Sequence, residues 1–209
     1  FATIGAAAEE WTFEVSDNAP RVVSCAVGRD WAARMETNAL AAIGQDGATK
    51  PVPWVLDTTG EQPELVFLAD GRTRFTLIPR TGGSISRSTE TAPSLAVDTA
   101  ADGEITVRNV SFTLSHSAKK GGLPEHVTFP LSGQRDDDIF FLDRLVRRNA
   151  EGRLDQYTLR NAPATVRIAL NTPLRAVIET SSVVQGVRIS YRYVYTGGSP
   201  RTPVVGGPQ

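Results

Sequence analysis

The stretch GQRDDDIFFLDRLVRRNAEGR, residues 133–153, holds the densest set of chemically capable side chains in the sequence. Asp136, Asp137, Asp138 and Asp143 offer the hard carboxylate oxygens that Ca²⁺ takes, and they are the candidate metal ligands. Their spacing departs from an EF-hand loop, which needs alternating ligand positions and a glycine at the turn. Three consecutive Asp at a strand entrance serve equally well to solvate a turn. Arg144, Arg147 and Arg148 follow directly, with Arg153 and Arg160 further on. A guanidinium pairs with a carboxylate through two parallel hydrogen bonds, so uronate sugars suit it. Arg144, Arg147, Arg148 and Tyr157 are therefore the candidate contacts for an acidic polysaccharide. The plainer alternative is a set of solvated arginines balancing Asp143, Glu151 and Asp155.

Other chemistry is thin. The sequence has two histidines, His116 and His126, which excludes a histidine-rich metal site. Ser115 and His116 are adjacent, but neighbours on a strand point to opposite faces, so adjacency alone makes no nucleophile–base pair. No phosphate-cradling glycine loop and no metalloprotease helix is present. A stand-alone lyase or hydrolase would have to draw its general base from Arg, Tyr or Asp side chains. The separation of two carboxylates, which governs glycoside hydrolysis, is a spatial fact that sequence does not carry. Cys25 is the single cysteine, so no internal disulfide forms, and in VVSCAV it reads as a small buried hydrophobe. Asn109-Val110-Ser111 fits an N-glycosylation acceptor, a pattern that often occurs by accident.

The elements that must position these residues are strands. The 209 residues are 40% hydrophobic and 22% charged, enough to bury one large all-β core or two small ones. Period-two alternation recurs in EWTFEV, PRVVSCAV, PELVFLA, RTRFTLI, EITVRN, VSFTLSH, HVTF, DIFFLDRL, RLDQYTLR, ATVRIALN, PLRAVIETSSVV and GVRISYRYVY. DNAP, ADG, NAEG and VQG are short turns of the kind that join antiparallel neighbours. A shift of apolar phase at Arg108-Asn109 marks a bulge or corner. In DWAARMETNALAAIG a helix capped by Asp30 competes with a strand. The segments 81–94 and 117–125 read as long loops. In the last strand Val187, Ile189, Tyr191, Tyr193 and Tyr195 share one side. That row is expected to face the core, joined to Leu174, Ala176 and Ile178 of the preceding strand through the VVQGV turn; a ligand platform is the alternative. The expected fold is all-β: a hairpin-built β-barrel or barrel-like sandwich with long loops and little helix.

A formal charge of -1 argues against general nucleic-acid binding. Residues 1–133 carry about -5 and residues 134–209 about +4, an asymmetry that favours docking between halves or an anionic ligand on the later part. No run is long and apolar enough to span a bilayer. FATIGAAAEEW has the small-residue end of a signal peptide, and reads either as its remnant, implying a secreted, extracellular or periplasmic bacterial protein, or as an Ala-rich arm. The expected division is an arm over 1–9, one domain over 10–200 and a Pro/Gly-rich tail over 201–209.

The order DGATKPVPWVLD, PELVFLADG, RTRFTLIP, EITVRNVSFTLS, FFLDRLVRRNAEGRLDQYTL and NTPLRAVIETSSVVQGVRISYRYVYTGGSP resembles a bacterial exo-rhamnogalacturonan-lyase-like family. The likeness spans roughly residues 45–200. Thr172-Pro173-Leu174-Arg175 carries Thr where that family has Gly, and Gly198-Ser199-Pro200 is kept. The resemblance implies a RIFT-related, swapped-hairpin barrel that precedes a large α/α catalytic region. It transfers no catalytic residue to this chain. What it implies is a non-catalytic, exported module associated with the degradation or binding of uronate-containing polysaccharide, whose partners are the acidic polymer or a catalytic α/α domain. Two other readings stand beside it: an extracellular structural or adhesive subunit that self-assembles through residues 1–8 by strand addition, and a stand-alone polysaccharide lyase. No cofactor beyond Ca²⁺ is expected.

Overall fold

The computed structural model describes residues 2–4, 12–15, 21–35, 37–69, 74–79, 95–130, 132–136 and 144–197. They fall into two compact units, one up to residue 79 and one over residues 95–196, with Gly197 grouped with the first.

The first unit contains β1 (Ala2–Ile4), β2 (Thr12–Val15), β3 (Arg21–Ala26), α1 (Arg29–Met35), β4 (Asn38–Ile43), β5 (Thr49–Pro51), β6 (Trp54–Asp57), β7 (Glu64–Ala69) and β8 (Arg74–Pro79). Two antiparallel sheets form, in the orders β1-β2-β8-β4-β5 and β3-β7-β6. Leu40, Ala42 and Phe75 of the first sheet meet Leu65, Phe67 and Ala69 of the second in one core, and the rings of Phe67 and Phe75 cross edge-to-face at 4.8 Å. The ambiguous DWAARMETNALAAIG contains both alternatives in succession. Trp31 and Met35, one helical turn apart, are buried against that core, and packing sustains a seven-residue helix that is too short to persist alone. Asn38 ends it by donating its side-chain amide to Arg34 O at 2.8 Å, and the chain then extends into β4. Ala2–Ile4 of the expected arm pairs with β2 of the same chain.

Cys25 lies on β3 with its Sγ 3.7 Å from Leu65 O. Burial, and secondarily the nearby Glu64 carboxylate, pushes its thiol up to about 11. Alkylation by iodoacetamide at pH 8 is therefore expected to run at least tenfold slower in the native protein than in denaturant. Equal rates would show an open thiol.

The second unit contains β9 (Ala96–Thr99), β10 (Ile105–Arg108), β11 (Thr113–His116), β12 (Pro124–Phe129), β13 (Gln134–Asp136), β14 (Arg144–Arg148), β15 (Leu154–Thr158), β16 (Ala164–Asn171), β17 (Arg175–Val184) and β18 (Val187–Thr196). The sheets run β13-β12-β11-β10-β9, β16-β17-β18 and β14-β15. Ile105, Val107, Leu114 and Val127 of the five-stranded sheet, with Phe112 of the β10–β11 turn, pack on Ala176, Ile178, Tyr193 and Tyr195 of the three-stranded sheet. Two apolar faces meeting in this way make a sandwich. The all-β expectation therefore holds. Of the two arrangements expected, facing sheets are what forms; among the described residues no sheet closes into a barrel.

Turn chemistry sets the register. The β4–β5, β9–β10 and β14–β15 hairpins share one device: GQDGA, AADGE and NAEGR each carry a glycine at the fourth position with φ between 80° and 84°. That residue's N–H bonds the first residue's carbonyl at 3.0 Å in all three. In the β17–β18 turn Gln185 and Gly186 both have positive φ, 52° and 77°, which is the two-residue turn that matches strand twist. The corner expected at Arg108-Asn109 is a tight turn. Asn109 Oδ1 accepts from the N–H groups of Ser111 and Phe112, and its amide donates to Thr196 O at 3.2 Å. That buried, occupied amide does not suit glycan attachment. The segment 117–125 is no simple loop: a 3-10 turn over Ala118–Lys120 leads straight into β12. The loop expected at 81–94 lies outside the described residues.

Candidate binding face

The β14–β15 ribbon places the arginines. Its register sets Arg144 opposite Thr158, Val146 opposite Gln156 and Arg148 opposite Leu154, so these six side chains share one face. Leu145 opposite Tyr157 and Arg147 opposite Asp155 occupy the other. Leu145 and Tyr157 pack there against a small core of Leu123, Leu159 and Val184. The four expected contacts are thus divided: Arg144 and Arg148 stand together in solvent, whereas Tyr157 is half-buried behind them with Arg147 on its side of the ribbon.

On the solvent face Arg144 Nη1 donates to Gln156 Oε1 at 3.3 Å, and Arg148 Nη1 donates to Gly152 O at 2.7 Å. Each bond uses one of five guanidinium N–H groups, which orients the fork and leaves donors for a ligand. Val146 lies between the two cations and Leu154 beside Arg148 across the ribbon, 50% and 60% exposed. Four residues along a strand separate the two arginine Cα atoms by about 13 Å. None of the six side chains on this face is a carboxylate. Sequence reasoning found the cations but missed the aliphatic strip, although the alternation in RLVRR and the turn NAEGR carried it.

The acidic candidates fare differently. Asp137, Asp138 and Asp143 lie outside the described residues, and for Asp136 only the β13 backbone is described. Among the described residues no group of three or more His, Cys, Asp or Glu could hold a metal. Elsewhere in the second unit three carboxylates pair with cations: Asp98 with Arg108, Glu179 with Arg167, and the buried Glu125 with Lys120 at 3.1 Å.

His116 is fully buried at the inner end of β11. Its Nδ1 lies 2.8 Å from Gly122 O, and a carbonyl only accepts, so Nδ1 carries the proton. Nε2 then accepts the Tyr195 hydroxyl at 2.6 Å. Burial lowers the imidazole to about 4, outweighing the Gly122 bond that opposes it. Burial, then Tyr193, raises the Tyr195 phenol well above its ordinary value. This pair is a neutral internal tie with no access to substrate. Ser115 faces the opposite side of the sheet from His116, across from Glu125. The tyrosine row is dry at one end: Tyr193 and Tyr195 are 1% exposed, while Val187 at the other is 46% exposed.

No family model matches the chain, and no curated protein does. Among solved structures, an alpha-mannosidase from Enterococcus faecalis V583 is similar at 12% identity and a TM-score of 0.49, over 90% of this chain and 28% of that one. A glycosyl hydrolase family 38 protein from Enterococcus faecalis is similar at 14% identity and a TM-score of 0.41, over 83% and 24%. The chain thus spans about a quarter of their length. Likenesses this distant transfer neither site nor activity. No helix among the described residues is long and apolar enough to cross a membrane.

Proposed function

We propose that this chain is a non-catalytic β-module of an exported polysaccharide-degrading system, and that it holds uronate-containing polymer on the outer face of the β14–β15 ribbon. The observation that carries this reading is the contrast between two exposed guanidiniums and a histidine, His116, shut inside the core. Arg144 and Arg148 stand in solvent with donors to spare, with Val146 between them and Leu154 across from Arg148. Guanidiniums take the carboxylates of such a polymer and the aliphatic strip lies under the C–H faces of its rings. His116, by contrast, has both ring nitrogens occupied inside the core.

Exposed ion pairs contribute about 0.2–1 kcal/mol each, so replacing both Arg144 and Arg148 by Ala is expected to weaken polymer binding about 2- to 30-fold. Binding that is unchanged in the double variant would remove the face from the account. Formation of unsaturated ends by the isolated chain, read as new ultraviolet absorbance, would make it a lyase.

A further inference from the structure

We propose that the His116 ring is an acid-sensitive latch: neutral, it ties the 117–123 turn to β18; protonated, it is a charge shut in the core with no carboxylate facing it, which lifting of the turn from the tyrosine row opens to water. The turn is built to lie close. Gly121 and Gly122 both have positive φ, 74° and 71°, a conformation that glycine alone adopts freely. A Cβ at Gly121 would fall 2.4 Å from Leu159 O, and one at Gly122 would fall 2.8 Å from Thr180 Cβ. Ser117 O accepts from both Lys120 N and Gly122 N, which makes the turn one hydrogen-bonded piece.

His116 joins this piece to β18 by side-chain hydrogen bonds, through Gly122 O on one nitrogen and the Tyr195 hydroxyl on the other. A protonated ring donates from both nitrogens. Gly122 O and, once its own proton swings away, the Tyr195 oxygen both still accept, so the drive to open is not a broken bond but a charge held out of water. Tyr193 and Tyr195 are the titratable groups whose rings lie against the imidazole, at 4.8 and 5.9 Å. Thr180 of β17 and Val166 of β16, which meet the turn at Gly122, bring no charge. Lys120, Glu125 and His126 are the charged or titratable groups of the turn and the strand that follows it. Glu125 is committed to Lys120 and points to the other face of the sheet, so it does not offset an imidazolium at 116.

The test is amide exchange by NMR, expressed as protection factors so that intrinsic rates divide out. Between pH 7 and pH 4 the Lys120 and Gly122 amides are expected to lose at least tenfold more protection than amides of β17 and β18. His126→Gln should keep this difference and His116→Phe should abolish it. Parallel loss in turn and hairpin, no loss at all, or a difference that survives His116→Phe would overturn the latch. If His116→Phe does not fold, the wild-type protein decides. The His116 ring and the Gly122 amide must shift with one midpoint, and separate midpoints refute the proposal.

Discussion

Replacing Tyr195 by Ala is expected to destabilise the second unit by about 3–5 kcal/mol, as large aromatic-to-Ala changes in packed cores do. The ring is 1% exposed and lies 5.9 Å from Phe112 across the sandwich, where removal leaves a cavity between two sheets. The same change strips Nε2 of His116 of its donor. Tyr195→Phe separates the two effects. It keeps the ring and orphans only the acceptor, so its expected loss is about 1–3 kcal/mol. Urea unfolding followed by circular dichroism measures both. Domains are typically stable by only about 5–15 kcal/mol, so the Ala variant should lose a fifth or more of its margin. A loss below about 1 kcal/mol would mean that this end of the row is wet.

Stability should also fall with acid. His116 binds its proton near 6.5 when unfolded and near 4 when folded. Between those values the unfolded chain holds more protons, so stability rises with pH and is lost as pH falls through this window. The full difference corresponds to about 3 kcal/mol, and local release of the 117–123 turn would relieve part of it. Below about pH 4 this contribution is spent. Urea midpoints at half-unit pH steps should therefore drop from pH 6.5 to pH 4 in the wild type, and the drop should shrink in His116→Phe. Equal slopes would place the acid sensitivity elsewhere.

Much of this fold was legible because turns and alternation are local. ATVRIALN is β16 residue for residue, and the VVQGV turn gave the β17–β18 pairing with Tyr193 and Tyr195 inward. What local pattern does not contain is how hairpins associate. The same alternation serves a closed barrel and two facing sheets, and only the contact of Val107 and Leu114 with Ile178 and Tyr193 distinguishes them. Strands buried on both faces also escape a period-two reading: Val177 and Val194 are as dry as the residues opposite them. The candidate face was half legible. Its cations stand out by type, but placing Tyr157 behind the ribbon needed the register set by Asn149 and Gly152. Glu125 gave no signal, because its burial follows from a bulge at His126, whose φ is 51°. The Asp run and its calcium reading lie outside the described residues apart from the Asp136 backbone.

The central claim is that carboxylates of a polymer meet Arg144 and Arg148 on an open face. Calorimetric titration with polygalacturonate and with its methyl ester tests it most directly, because the two share a backbone and differ in charge. The account predicts binding of the acid form, weakening steeply as salt rises, and little heat from the ester. Equal binding of both polymers, or of neither, would contradict it.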